Sequence, residues 1–316
     1  MLEFLLLIVG FVVLVFGADK LVDGASSLAS KLGVPDIVIG LTIVSLGTSA
    51  PELVVNIFAA VNQNTEMVLG NVIGSNLFNV LAILGVCALI KPLTVKRTTT
   101  WLEIPLSLLA AIAVLVLAND VYLDNATSNF ISRSEGLILL LFLSIFLVYN
   151  LILARKGKAD VGEELHHYSY LKSTLFVLLG LGGLVLGGKL IVDNAVSLAL
   201  SFGMSERVVG LTIVSVGTSL PELATSVAAV RRNNVDIAVG NVVGSNIFNI
   251  FLVLGMSTII NPVPVNPSSQ VDILINILAG LLLFFFTGKG NRLLRWEGGL
   301  FVLLYVGYIS LLVFQS

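Results

Sequence analysis

Apolar runs about 20 residues long recur along the whole chain, separated by short polar stretches, and that is the length a helix needs to cross the hydrocarbon core of a bilayer. The pattern predicts ten helices, at 2–30, 35–61, 66–90, 101–118, 133–154, 171–202, 205–230, 236–260, 270–288 and 293–313. The opening run has an acidic residue at Glu3 and no small-residue cleavage site, so it reads as a first spanning helix and not as a removed leader. The longest polar stretch runs from Arg155 to Lys172 and divides the chain into a first five-helix unit at 1–154, a linker at 155–172 and a second five-helix unit at 173–316. The expected fold class is an all-α membrane protein of ten transmembrane helices.

Composition agrees. Only 11% of the 316 residues are charged and 57% are hydrophobic, against roughly 25% charged in a soluble domain. There is no basic tail, so nucleic acid is not an expected partner; the bilayer is. One cysteine, Cys87, rules out a disulfide within the chain. Lys and Arg gather on the cytoplasmic face of membrane proteins. With the linker on that face, Lys31, Lys91, Lys96, Arg97, Arg231, Arg232, Lys289, Arg292 and Arg295 join it, and only Arg133 and Arg207 fall opposite. Both termini are then outside. Asp160, Glu163, Glu164, His166 and His167 in the linker read as a solvated loop.

The two units repeat each other at a constant offset of 170 residues. GVPDIVIGLTIVSLGTSAPEL (33–53) matches GMSERVVGLTIVSVGTSLPEL (203–223), and LGNVIGSNLFNV (69–80) matches VGNVVGSNIFNI (239–250). The offset also pairs Asp23 with Asp193 and Pro92 with Pro262. Five spans per unit is an odd number, so the second unit starts from the opposite side and the repeats are inverted. Inverted repeats with interrupted helices are a mark of secondary transporters, whose sites lie near the midplane.

Each repeat carries G-T-S-x-P-E in mid-span, Gly47 to Glu52 and Gly217 to Glu222. Pro51 and Pro221 supply no N–H and crowd the carbonyl four residues back, which frees backbone near Gly47 and Gly217. Such backbone is tolerated at membrane depth only inside protein or along a wet cavity, and freed carbonyls are hard oxygen ligands of the kind Na⁺ and Ca²⁺ take. Thr48 shares a helix face with Glu52, and Thr218 with Glu222; Ser49 and Ser219 sit beside them. A carboxylate at this depth needs a partner, a proton or a cation. No Lys or Arg lies at a matching depth in the second, third, seventh or eighth span. A mobile cation or proton is the remaining compensator; protonated glutamates hydrogen-bonded inside a bundle are the alternative.

The second duplicated motif is G-N-V-x-G-S-N-x-F-N. Asn71, Ser75 and Asn79 recur every four residues as a polar stripe, and Asn241, Ser245 and Asn249 form its twin. Gly70 with Gly74, and Gly240 with Gly244, suggest close helix approach. Ser75, Asn79, Ser245 and Asn249 are expected to contact an ion; Asn71, Asn76, Asn241 and Asn246 are expected to bond between helices. Asp23 and Asp193 are read as helix-end carboxylates that reach water, and Lys20 and Lys189 as snorkelling cations.

On these motifs the chain resembles the sodium/calcium exchanger family within the calcium/cation antiporter superfamily, in its prokaryotic form with short loops. Similarity is dense over the α-repeats, 33–80 and 203–250. The resemblance implies a multi-pass protein of a prokaryotic inner membrane with a diamond of ion sites at its centre. Glu52 and Glu222 would bind Ca²⁺ and also Na⁺, Thr48, Ser49, Thr218, Ser219, Ser75 and Ser245 would supply Na⁺ ligands, and Ser45 and Ser215 would contribute backbone carbonyls. Asn79 and Asn249 would fill the remaining corners. Some relatives, the potassium-dependent exchangers among them, carry aspartate where Asn249 stands. The family also slides its first and sixth helices against the core, which fits Gly10, Gly17, Gly180, Gly182, Gly183, Gly187 and Gly188 here.

The expected activity is antiport of Na⁺ for Ca²⁺ at one shared site, with no enzymatic chemistry, no cofactor and no obligatory protein partner. Proton-for-calcium antiport through the same glutamates is the nearest alternative, though a proton has no need of the Thr and Ser hydroxyls. An intramembrane hydrolase would need His, Asp or Cys ligands at depth or a base beside a nucleophilic serine, and the motifs offer neither. A passive channel fits broken helices but not so deep a repeat.

Overall fold

The computed structural model describes residues 2–123, 125–156, 168–201 and 215–315. Its main helices are α1 (Leu2–Leu32), α2 (Asp36–Thr48), α3 (Ala50–Val61), α4 (Glu66–Ile90), α5 (Thr99–Leu117), α6 (Arg133–Lys156), α7 (Tyr170–Ser201), α8 (Ser215–Thr218), α9 (Leu220–Arg231), α10 (Val235–Ile260), α11 (Pro267–Gly290) and α12 (Arg295–Gln315). Among the described residues seven helices are long and apolar enough to cross a bilayer, and the bent pair α2 and α3 makes an eighth. The chain is an all-helical, multi-pass integral membrane protein. The span expected at 205–230 is described only from Ser215, and the linker cluster of Asp160 to His167 lies outside the described residues.

The hydrophobic pattern missed two small ladders. β1 (Leu93–Thr94) pairs antiparallel with β4 (Arg292–Leu293), and β2 (Phe130–Ile131) with β3 (Val263–Pro264). Each ties the first half of the chain to the second.

Burial separates two kinds of helix. The most apolar windows of α1, α5, α6, α7 and α11 are only 22–33% buried, so their leucines and phenylalanines face outward as a lipid surface requires. Those of α4 and α10 are 78% and 94% buried. These two carry the polar stripes, and the remaining helices wrap them.

The close approach that the small residues permit runs across the halves. A Cβ added to Gly240 of α10 would lie 2.9 Å from the Ile37 carbonyl oxygen and 3.1 Å from the Gly40 Cα of α2. Gly244 meets Leu41 and Ser45 in the same way, whereas Gly70 faces open space. So the first unit's broken helix docks on the second unit's stripe.

Most of the glycines of α1 and α7 pack against the partner helix of this pair; Gly188 instead lies 3.8 Å from Pro221 of the core, and Gly182 faces open space. A Cβ on Gly17 would sit 2.8 Å from Leu184 N, and one on Gly187 2.6 Å from Leu14 N. Gly10 packs near Ile191 and Gly24 near Ser173. Rising numbers on α1 meet falling numbers on α7, so the two helices are antiparallel and form one tight pair. The pair meets the core where Leu181 lies against Gly47, Val192 against Gly217 and Gly188 near Pro221.

Basic residues gather at one end. Lys91 Nζ donates to Asn233 (2.7 Å), Arg295 to the Ile90 carbonyl (3.2 Å), and Lys96 pairs with Asp236 (2.7 Å). Asp23 departs from expectation: it is ion-paired to Arg232, which also reaches Asp19 at 3.2 Å. Its twin Asp193 is exposed. Lys20 lies over the rings of Phe16 and Phe176.

Candidate ion-binding site

Both G-T-S-x-P-E segments interrupt a helix. α2 stops at Thr48 and α3 starts at Ala50 with a 45° bend between them. Ser49 sits at the break with φ −81° and ψ 4°, and its twin Ser219 has φ −93° and ψ 7°. Pro51 and Pro221 occupy the first turn after the break, where a missing N–H does no harm. Glu52 and Glu222 follow in that same turn. Wide π turns lie alongside, at Gly40–Val44, Phe78–Ile83 and Asn249–Leu254, a distortion often found at functional sites.

The two halves interlock at the glutamates. Ser219 Oγ donates to Glu52 Oε1 (3.0 Å), and Ser49 Oγ donates to Glu222 Oε1 (3.1 Å). Each stripe adds its own serine: Ser75 Oγ to Glu52 Oε1 (3.5 Å) and Ser245 Oγ to Glu222 Oε1 (3.4 Å). Ser75 and Ser219 are themselves 2.8 Å apart. Both carboxylates are buried, at 1% and 0% exposure, with no Lys or Arg partner among the described residues.

Asn79 and Asn249 complete the cluster through one end of their amides. Asn79 Nδ2 donates to Asn246 Oδ1 (3.0 Å); Asn249 Nδ2 donates to Asn76 Oδ1 and Ser75 Oγ (both 3.1 Å). The other ends are bare. Glu52 Oε2, Glu222 Oε2, Asn79 Oδ1 and Asn249 Oδ1 are buried oxygens with no hydrogen-bond partner. Buried polar atoms are nearly always satisfied, and an unpaired carboxylate at bilayer depth costs on the order of 3 kcal/mol or more. Four unsatisfied acceptors, two from each half, are a set of hard oxygen donors suited to Na⁺ or Ca²⁺.

The other expected residues are more engaged. Thr48 Oγ1 has two acceptors in reach of its single proton, Asn241 Oδ1 (3.0 Å) and the Ser45 carbonyl (3.3 Å). The Ser45 carbonyl also accepts from the Ser49 N–H (2.9 Å), so it is already engaged. Thr218 is half-buried, and Ser215 opens the described part of α8. Asn76, Asn241 and Asn246 bond between helices as expected, but Asn71 Nδ2 has no partner.

Several polar residues escaped the sequence reading. Asn56 Nδ2 donates to the Glu52 carbonyl at 2.7 Å. Glu103 is fully buried and takes a short hydrogen bond from the Tyr149 hydroxyl, while Asp272 takes one from Tyr308 at 2.9 Å. A carboxylate inside an apolar run was the available signal for Glu103 and Asp272. Asn56 gave none, because its twin is Ser226 and the motif ends before it.

Comparison with known proteins identifies the family. The chain is 38% identical to the inner membrane protein YrbG of Escherichia coli (strain K12) over 291 residues, covering 88% of this chain and 87% of YrbG. It is 33% identical to the sodium/calcium exchanger MaX1 of Methanosarcina acetivorans, covering 99% of each. Its fold matches the sodium-calcium exchanger NCX_Mj soaked with 2.5 mM Na⁺ and 0.1 mM Ca²⁺, with a TM-score of 0.85, 32% identity and 98% coverage of both chains. The family model described as sodium/calcium exchanger protein matches residues 2–152 and 172–314. The chain belongs to the sodium/calcium exchanger family of cation antiporters.

Proposed function

We propose that the chain exchanges Na⁺ for Ca²⁺ across a prokaryotic inner membrane, by alternating access at one shared site near the midplane. The observation that carries this is the set of four buried, unpartnered oxygens on Glu52, Glu222, Asn79 and Asn249. Two glutamates give the empty site a charge of −2. One Ca²⁺ neutralises it, and so do two Na⁺. Both ions together would overcharge a dry cavity, so occupancy is exclusive. Exclusive occupancy combined with two access states gives antiport, and the expense of occluding an empty −2 site opposes uncoupled return.

Ser49, Ser219, Ser75, Ser245, Thr48 and Thr218 serve as Na⁺ ligands in this account, with the carbonyls of Ser45 and Ser215. For Ser45 the Thr48 hydroxyl must first turn away. Flexible hydroxyls, amides and carboxylates match the loose coordination of Ca²⁺ better than the tight octahedron of Mg²⁺. No resident cofactor is needed.

We further infer an inverted ten-span layout with both termini outside. The antiparallel packing of α1 on its repeat partner α7 supports inversion, because a two-fold axis that reverses helix direction lies in the membrane plane. The basic residues gathered at one end support placing that end in the cytoplasm. The names of YrbG and MaX1 agree with the membrane and the ions proposed.

The test is ⁴⁵Ca²⁺ uptake into proteoliposomes loaded with Na⁺, with K⁺- or choline-loaded vesicles as controls and a pH gradient as a separate arm. The account expects uptake only with Na⁺ inside. Uptake driven by the pH gradient and indifferent to Na⁺ would replace it with proton-for-calcium exchange.

A further inference from the structure

We propose that Asn76 and Asn246, which face each other across the two halves, are positioning residues that fix which end of the Asn79 and Asn249 amides meets the ion. The inference rests on the shared site proposed above and concerns how that site is oriented.

An amide has an oxygen at one end and an NH₂ at the other, and only its partners decide which way it points. Here the decision starts at two backbone carbonyls. Asn76 Nδ2 donates to the Asn246 carbonyl oxygen (3.3 Å), and Asn246 Nδ2 donates to the Asn76 carbonyl oxygen (3.4 Å). A carbonyl oxygen can only accept, so each of these side chains must turn its NH₂ toward the other's backbone. Its Oδ1 then faces the opposite way and can also only accept. Asn249 must therefore present Nδ2 to Asn76 Oδ1 (3.1 Å), and Asn79 must present Nδ2 to Asn246 Oδ1 (3.0 Å). The oxygens of Asn79 and Asn249 are left pointing away from that layer, buried and unpartnered. Hydrogen-bond polarity thus passes from the main chain through two amides to the ion-facing atoms, and each half orients the other's corner.

The consequence is electrostatic. With Oδ1 inward, Asn79 and Asn249 each offer a cation a lone pair. Turned over, each would offer two N–H groups, which repel it. Asn76 and Asn246 are 1% and 3% exposed, so water cannot take over their bonds.

Aspartate at the corner separates orientation from packing, because both ends of its side chain are oxygen and turning it over changes nothing. The experiment measures ⁴⁵Ca²⁺ binding to the purified full chain for Asn76→Leu alone, Asn249→Asp alone and the double variant. Asn76→Leu is expected to weaken binding by roughly tenfold or more when Asn249 is present, and by under about twofold when Asp stands there. Equal penalties in both backgrounds would overturn the proposal and leave Asn76 a packing residue. Asn246→Leu with Asn79→Asp repeats the test from the other half, and decides it if Asn76→Leu fails to fold. If the unaltered chain binds no Ca²⁺, the exchange reading fails and the orientation argument with it. Binding with equal penalties defeats the orientation argument alone.

Discussion

The Glu52 and Glu222 corners share one motif but are held in place differently. Their carboxylate contacts match: one oxygen takes a serine from the opposite half and a serine from its own stripe, and the other oxygen is bare. Behind those atoms the twins diverge. The Glu222 carbonyl is held by Asn241 Nδ2 at 3.2 Å, and the same NH₂ reaches Ser226 at 3.0 Å while Asn241 Oδ1 accepts from Thr48. At the Glu52 corner the carbonyl is held by Asn56, on the same helix, and Asn71, the twin of Asn241, has an idle Nδ2. One exchange at offset 170, Asn56 for Ser226, accounts for this. The longer amide of Asn56 reaches the carbonyl one turn back, and the Nδ2 of Asn71 is not needed there. The repeated contacts of the two carboxylates fit the shared site proposed above, in which the scaffold behind them need only hold each glutamate still.

This comparison can be broken by substitution. The largest effect belongs to the shared atoms: Glu52→Gln and Glu222→Gln are each expected to abolish Na⁺-driven Ca²⁺ uptake, by a factor of roughly 100 or more, since either halves the site charge. Near-normal exchange in one of them would show that the corners are not equivalent. Next comes Asn241→Ala, which removes the side-chain bonds to the Glu222 carbonyl, Ser226 and Thr48 and should lower stability by about 1–3 kcal/mol in a thermal melt, with weaker Ca²⁺ binding. Asn71→Ala should fall within about 0.5 kcal/mol of the unaltered chain; a cost equal to that of Asn241→Ala would mean the two scaffolds are alike after all. Asn56→Ala removes a single bond, to the Glu52 carbonyl, and should cost about 1 kcal/mol in the same melt. A small effect is also expected at Arg232→Gln, whose partly exposed ion pair is worth about 0–1 kcal/mol and should leave Ca²⁺ affinity unchanged. A changed affinity there would link the end of α9 to the site.

The sequence displayed the helices and the glutamates because both obey simple rules. A span needs its apolar length, and a carboxylate at depth needs a reason. The duplicated Pro51 and Pro221 marked the breaks, since proline cannot continue the bonding of a helix interior. What stayed hidden depends on partners distant along the chain. Nothing local says that Gly240 seats against Gly40 of the other half, or that the glycines of α1 meet those of α7. The ion pair of Asp23 was equally out of sight, because Arg232 has Asn62 as its twin and the repeat gave no cue. The orientation of Asn79 and Asn249 lies further still from the sequence, since an amide's direction is set by the atoms around it.

The most direct measurement is equilibrium ⁴⁵Ca²⁺ binding to the purified chain, titrated with Na⁺ and repeated on Glu52→Gln. The account predicts one Ca²⁺ bound per chain, displaced competitively by Na⁺ and lost in the variant. Ca²⁺ binding that ignores Na⁺, or that survives the loss of the Glu52 charge, would contradict it.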